Sequence, residues 1–155
     1  MLISIIIPSY NEEVVIAESY RRLSEVLEKV DNYSYELIFV NDGSVDKTFD
    51  ILCDIAQKDH KVKVLNFSRN FGHQAAVTAG LKHCNGDLAV IIDADLQDPP
   101  EVIPQMIEVY EKENYLPDTD KWDGSGLPDG TYYYVLTYEG YIRSGEHKGS
   151  LTILR

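Results

Sequence analysis

Asp93, Asp95 and Gln97 alternate directly after the apolar run Val90-Ile91-Ile92. On an extended segment, alternate side chains point the same way, so this spacing predicts three oxygen donors converging on a hard divalent cation, Mg²⁺ or Mn²⁺. Such an ion suits a diphosphate, because as a Lewis acid it neutralises charge on a departing one. The plainer reading leaves Asp93 in a strand-end turn and gives Asp98 to a helix cap. A second acidic position, Asp42, follows another apolar run. There it either bonds a nucleobase or ribose, or closes its own turn. Tyr10 is placed to stack on or cover a base, and Glu12 either joins the site or only favours a helix N-terminus. His73, in Arg69-Asn70-Phe71-Gly72-His73-Gln74, reads as solvated or capping rather than catalytic. His60, His83 and His147 have no partner at metal-ligand spacing.

These groups must be carried by a frame, and the hydrophobic pattern supplies one. Short apolar runs alternate with helix-period segments, the pattern of a parallel sheet with crossover helices. Strands are expected at Leu2 to Ile7, Glu36 to Val40, Lys63 to Phe67 and Leu88 to Ile92. The first helix is expected from about Glu12 to Val30, with Ile16, Tyr20, Leu23, Leu27 and Val30 along its buried face. In the second, Phe49, Leu52, Cys53 and Ala56 recur at helical spacing behind a turn in which Ser44 is the expected cap. A third runs from Gly72 to Cys84. The fourth opens at Asp98-Pro99-Pro100-Glu101, with Asp98 as cap, Pro99 in the first turn and Glu101 closing a capping box, and buries Val102, Ile103, Met106, Ile107 and Tyr110. In an open parallel sheet, ligands sit outside the carboxyl ends of the strands. The segments following strands one, two and four begin at Pro8, Asn41 and Asp93, so acidic and amide groups collect on that edge.

Composition narrows the chemistry further. A chain of 155 residues is about one domain. Its formal net charge of −12 disfavours nucleic acid and anionic membrane surfaces as partners, because a polyanion needs a basic face. Two cysteines, Cys53 and Cys84, both at apolar helical positions, read as packing in a reducing compartment rather than as a disulfide. No signal peptide and no run of about 20 apolar residues is evident, so no transmembrane segment is expected. There is no Gly-x-Gly-x-x-Gly after the first strand, no phosphate loop with Gly-Lys-Ser/Thr and no Gly-x-Ser-x-Gly elbow, which sets aside dinucleotide oxidoreductases, P-loop NTPases and elbow-type hydrolases.

Four motifs, in order over about residues 2 to 113, carry a resemblance. Ile5-Ile6-Ile7-Pro8-Ser9-Tyr10-Asn11-Glu12-Glu13, Phe39-Val40-Asn41-Asp42-Gly43-Ser44 with Asp46 and Thr48, Ser68-Arg69-Asn70-Phe71-Gly72-His73-Gln74 with Ala79-Gly80-Leu81, and Asp93-Ala94-Asp95-Leu96-Gln97-Asp98-Pro99-Pro100-Glu101 resemble the family 2 glycosyltransferases. Within that family they are similar to the polyprenyl-phosphate and dolichol-phosphate group. The resemblance implies an α/β fold, a Rossmann-like GT-A half-domain with a parallel sheet and flanking helices. It also implies inverting transfer of a hexose from a UDP- or GDP-hexose to polyprenyl phosphate. Pro8, Tyr10, Glu12, Val40 and Asp42 would line the nucleotide, together with Ile92, Asp93, Ala94 and Asp95; Ile92 and Ala94 would act through their backbone. Asp93, Asp95 and Gln97 match the metal and diphosphate positions, for Mg²⁺ or Mn²⁺. Asn41 departs from the more usual Asp. No catalytic base is assigned, since the family's acceptor half lies outside the matched motifs. The implied location is cytoplasmic, at the inner face of the membrane in intact relatives.

The texture changes near residue 114. Residues 114–155 hold six of the ten glycines and six of the eleven tyrosines, and little helical periodicity. Leu127-Pro128-Asp129-Gly130 is a turn signal, Thr131 to Tyr138 is rich in aromatic and β-branched residues, and Ser150 to Leu154 is its expected partner in a β-hairpin. From about residue 117, Trp122-Asp123-Gly124, Leu127 to Leu136 and Lys148 to Arg155 resemble the end of a gliding-motility-associated C-terminal domain, a sorting tail of secreted proteins, with Trp122 as an anchor. The expected organisation is therefore a truncated GT-A nucleotide-sugar-binding domain over 1–113 and a β-rich tail over 114–155. The two imply different compartments, and the expectation is a fusion of two gene fragments or an assembly artefact. Two other readings stand beside this one: a phosphatase of the haloacid-dehalogenase type, which also places Asp-x-Asp after a strand, and a non-catalytic remnant or surface-sorting module defined by the tail.

Overall fold

The computed structural model describes residues 1–113, 130–138 and 145–153. Four strands, β1 (Leu2–Ser9), β2 (Ser34–Asn41), β3 (Val62–Asn66) and β4 (Leu88–Ile91), form one sheet in the order β3-β2-β1-β4. All three pairings are parallel, with Ile6 opposite both Ile38 and Ile91. The crossovers carry α1 (Ile16–Leu27), α2 (Thr48–Lys58) and α3 (His73–His83), and a 3₁₀ turn at Pro100–Val102 leads into α4 (Ile103–Glu113). This is the parallel sheet with crossover helices expected from the alternating apolar runs. β1 is covered on both faces, with Ile3, Ile5, Ile6 and Ile7 all at 0% exposure, which is why it reads as a continuous rather than an alternating run. Strand order reverses between β1 and β4. Ser9 and Ile91 therefore end at the crevice where such sheets bind ligands.

The chain divides into two compact units, Met1–Gln105 and Met106–Arg155, with the boundary inside α4. In the second unit β5 (Gly130–Tyr138) and β6 (Gly145–Ile153) pair antiparallel, Gly130 opposite Ile153 and Tyr138 opposite Gly145. The expected hairpin is present, with a longer return strand than the Ser150 to Leu154 predicted. Trp122 and the turn before Gly130 lie outside the described residues.

Several local expectations change. α1 is shorter than Glu12 to Val30, because residues 12–15 form a turn closed by the Val15 and Ile16 amides on the Glu12 carbonyl. Its buried face is Ile16, Ser19, Leu23, Val26 and Leu27; Tyr20 lies at its margin, its hydroxyl donating to Asp59 Oδ2 at 2.9 Å. Ser44 does not cap α2. The Asp46 carboxylate takes the Thr48 amide and hydroxyl at 3.0 and 2.6 Å, while Ser44 turns to the neighbouring loop. Asp98 makes no cap bond either: Pro99 flanks the 3₁₀ turn, Pro100 is its first residue, and Glu101 pairs with Arg22 at 2.6 Å. Ile103 and Ile107 are buried as expected, but Tyr110 is 43% exposed.

Two features set how the frame is held. α3 lies tight against the sheet at Gly80, where a Cβ would stand 2.4 Å from Ile6 Cγ2. At the amino edge, Glu36 on β2 is 6% exposed. Its carboxylate accepts from Ser4 Oγ at 2.6 Å, Lys63 Nζ at 2.6 Å and the Asn85 amide at 2.7 Å, while Ser4 Oγ accepts from the Gly86 amide at 2.8 Å. A buried carboxylate is stabilising only when its oxygens are satisfied in this way. The network ties β1, β2 and β3 to the turn between α3 and β4.

Candidate functional site

Three loops at the carboxyl edge are stitched together by side chains. The β1–α1 loop and the β2–α2 loop exchange five bonds: the Asn11 amide to Ser44 Oγ at 2.9 Å, the Val45 amide to Asn11 Oδ1 at 2.9 Å, the Glu12 amide to Thr48 Oγ1 at 2.8 Å, the Glu13 amide to Asp46 Oδ2 at 3.1 Å and the Lys47 amide to Glu13 Oε2 at 3.0 Å. Local polar residues of the Ser, Thr, Asn and Asp type satisfy loop backbone groups that no ladder reaches. Asp42 reaches the third loop. It is 3% exposed, and its two oxygens accept from the Phe71 and Gly72 amides at 2.7 and 2.9 Å. Asp42 thus closes neither its own turn nor any bond within the β2–α2 loop; it holds the start of α3. Gly43 permits the approach: it has φ +66°, and a Cβ there would sit 2.2 Å from the Arg69 carbonyl carbon.

Between these loops lies a cleft of about 510 Å³ over the ends of β2 and β3. Tyr10, Val45, Phe49 and Phe67 give it apolar walls, Asn41 and Asn66 lie at its floor, and Arg69 is the cation among its lining residues. The Arg69 guanidinium stands 4.5 Å over the Phe71 ring, which meets Phe67 edge to face at 5.5 Å. Asn41 and Asn66 are register partners on β2 and β3. Asn41 Nδ2 donates to Asn66 Oδ1 at 2.7 Å, and Asn41 Oδ1 accepts from the Ser44 hydroxyl. An Asp at position 41 has no such donor, so the departure from the more usual residue is matched by its neighbour.

The acidic residues lie beside this cleft, at the switch between β1 and β4. Asp93 to Gln97 is not extended. Ala94 and Asp95 form a turn, Leu96 has φ +63°, and Asp95 Oδ1 accepts from the Gln97 amide at 3.0 Å. Simple alternation therefore does not place these side chains. Burial pushes the Asp93 carboxyl above its usual range, the His73 imidazole opposes the shift, and Asp95 and Asp98 add to it. His73 Nδ1 is 3.7 Å from Asp93 Oδ1. Burial, then Asp95, Asp46 and Asp93, raise Glu12 as well. Among the described residues no three His, Cys, Asp or Glu side chains form a closed metal cage. The donor set still fits a hard cation, since Mg²⁺ and Mn²⁺ take carboxylate oxygen and Mg²⁺ is usually held by one or two carboxylates with substrate phosphates.

Of the expected nucleotide residues, Asp42 is buried with both oxygens engaged by the Phe71 and Gly72 amides, and the other eight fall into two groups. Tyr10, 44% exposed, lines the cleft, and Glu12, Asp93 and Asp95 form the mutually repelling acidic set. Pro8 and Val40 are buried register partners, and Ile92 and Ala94 are 3% and 2% exposed, so these four offer only backbone to a ligand. Asn66, Phe67 and Arg69 had no place in the expected site. The carboxyl-edge rule would have found them had it been applied to the third strand as well as to the first, second and fourth.

Comparisons with known proteins agree with this geometry. Residues 4–151 match the model of Glycosyl transferase family 2, a span that includes the segment resembling a sorting domain. The Bacillus subtilis (strain 168) protein "Uncharacterized glycosyltransferase YkcC" is 54% identical over 112 residues, 72% of this chain and 34% of that protein. The Escherichia coli (strain K12) "Prophage bactoprenol glucosyl transferase homolog" is 45% identical over 111 residues, 72% of this chain and 36% of that protein. The chain thus spans about a third of the length of these curated relatives. Among solved structures, glucosyl-3-phosphoglycerate synthase from Mycobacterium tuberculosis, in complex with Mn²⁺, UDP and glucosyl-3-phosphoglycerate, superposes with a TM-score of 0.51 at 29% identity, covering 69% of this chain and 38% of that one. No helix among the described residues is long and apolar enough to cross a membrane.

Proposed function

The chain belongs to glycosyl transferase family 2, and from that membership we propose that residues 1–113 form the donor side of a site that transfers a hexose from a UDP- or GDP-hexose to polyprenyl phosphate, with inversion. The base lies in the cleft against Tyr10 and Phe67, and the diphosphate runs toward Asp93 and Asp95. Asp93, Asp95 and Gln97 would hold a Mg²⁺ or Mn²⁺, which would supply positive charge to offset that of the leaving diphosphate. The chain's own residues do the positioning. The Asp42 clamp sets the β3–α3 loop, the Glu36 network fixes the strands beneath, and Arg69 supplies positive charge at the rim. No residue described here is assigned as the acceptor's base.

One observation carries the reading: an aromatic-walled cleft of nucleotide size lies on the same carboxyl edge of the sheet as a carboxylate group in which burial and neighbouring carboxylates raise Glu12 and Asp93. Carboxylates arranged against one another in this way favour a cation. The polyprenyl acceptor is supported by the name of the Escherichia coli relative, and the metal by the Mn²⁺ and UDP in the mycobacterial enzyme. Calorimetric titration with UDP and GDP, with and without Mn²⁺, tests the donor side. Binding is expected to be at least about tenfold tighter with the metal than without it, and to weaken at least about tenfold in Asp95→Asn. Metal-independent binding that Asp95→Asn leaves unchanged, or no binding by a chain that unfolds cooperatively, overturns the reading.

A further inference from the structure

We infer that Asn66 reads the donor's base and admits bases that present a carbonyl oxygen at that edge, uracil or guanine, in preference to those that present an amino group, cytosine or adenine. The inference rests on the nucleotide-sugar reading and deepens it. It follows from the direction of a chain of hydrogen bonds that runs from the Asn11 amide through Ser44 and Asn41 to Asn66.

The Asn11 backbone amide can only donate, and it donates to Ser44 Oγ. Ser44 directs its own proton to Asn41 Oδ1. Asn41 must then present its NH₂ to Asn66, whose oxygen accepts it at 2.7 Å. Asn66 Nδ2 is what remains, and it has no partner among the described residues. An amide's orientation is decided by such a network, and here the Ser44 hydroxyl, which accepts the Asn11 amide, spends its one proton on Asn41 Oδ1.

The surroundings reinforce the selection. Asn41 is 1% exposed and Asn66 is exposed at the cleft, so the fixed end of the chain is buried and the free end faces the ligand. The acceptors nearest the floor are engaged elsewhere: the Asp42 oxygens by Phe71 and Gly72, the Asn41 oxygen by Ser44. Arg69, also lining the cleft, is donor-only. The aromatic walls accept any base face, because stacking is tolerant of identity. Discrimination therefore falls to the polar edge. Uracil O4 and guanine O6 accept from an amide NH₂, whereas the amino groups of cytosine and adenine in the same place leave two donors facing each other and both unpaired, a mismatch that sites of this kind reject strongly.

The test is equilibrium titration of the full chain, with Mn²⁺, comparing UDP with CDP and GDP with ADP, pairs of equal size and charge. The oxo member of at least one pair is expected to bind at least about tenfold more tightly. Asn66→Asp keeps the bond from Asn41 but presents an oxygen to the cleft, and is expected to erase or invert the ratio. Its added charge weakens both members of a pair alike, so the ratio is unaffected by it. Asn41→Asp removes the donor, turns the Asn66 amide around and is expected to shift the ratio the same way without touching the ligand. Equal affinities within each pair for the unmodified chain overturn the inference while leaving the donor-site reading intact, and so does a ratio that Asn66→Asp does not move. If neither pair binds, the donor-site reading falls and takes this inference with it.

Discussion

Glu36 and Asp93 are both partly withdrawn from water, and their surroundings drive them in opposite directions. Burial alone raises a carboxyl's proton affinity, and at Asp93 it does so with help from Asp95 and Asp98 against the opposing pull of His73. At Glu36 the same burial is outweighed by the Asn85 amide, Lys63 and the Ser4 hydroxyl, which hold the carboxyl below its usual range. The first environment calls for a cation, and the second already has one. A carboxyl depressed in the folded state stabilises the fold above its unfolded pKa, and that contribution is lost as pH falls through the depressed value. Glu36→Gln is therefore expected to lower the unfolding free energy by about 1–3 kcal/mol near neutral pH. Urea unfolding as a function of pH should show the deficit complete above about pH 5 and shrinking below about pH 4. A deficit that is flat with pH would mean that shape at position 36, rather than charge, sustains the network.

Among the elements, α3 is tightly constrained at one point, because Gly80 brings it onto Ile6 with no room for a side chain. Alanine raises helix propensity by about 1 kcal/mol over glycine, yet here its methyl group meets a stiff, β-branched core residue at 0% exposure. Overpacking of this kind is destabilising by about 1–3 kcal/mol, so Gly80→Ala is expected to unfold at lower urea, and a midpoint equal to or above that of the unmodified chain would refute the contact. What the sequence disclosed and what it concealed separate along the same line. Strands β1, β2 and β4 were legible because continuous burial leaves continuous apolar runs, and α1 and α4 because one buried face leaves a helical period. The cap assignments at Ser44 and Asp98 failed because cap propensity is local, whereas the partners of Ser44 are Asn11 and Asn41 and that of Glu101 is Arg22. The acidic members of the candidate site and Tyr10 were visible as strand-end residues. The amide floor was not, because its meaning depends on Asn41 and Asn66 being opposite each other, a register that only the folded sheet establishes.

For the molecule as a whole, the net charge of −12 bears directly on the proposed donor, itself a dianion or more. In a metal-chelated solution, UDP must approach Glu12, Asp93 and Asp95 against repulsion, and salt screens that repulsion over about 10 Å at 0.1 M. Metal-free binding is expected to strengthen several-fold on going from about 0.02 M to about 0.3 M NaCl. This is the reverse of a basic phosphate site, and fluorescence or calorimetric titration in EDTA reads the sign directly; weakening with salt would show that Arg69 rather than the carboxylates governs the approach. Strands β2 and β3 each carry one residue at either end: Glu36 and Asn41 on the one, Lys63 and Asn66 on the other. At about 3.3 Å per residue the two polar groups stand roughly 10–17 Å apart along the strands, far enough for changes in them to add independently. Substitutions at the two ends are accordingly expected to add in free energy. A lineage exchanging amide for carboxylate at the upper end, to take up a different donor, inherits an undisturbed anchor at the lower one and needs no compensating change there.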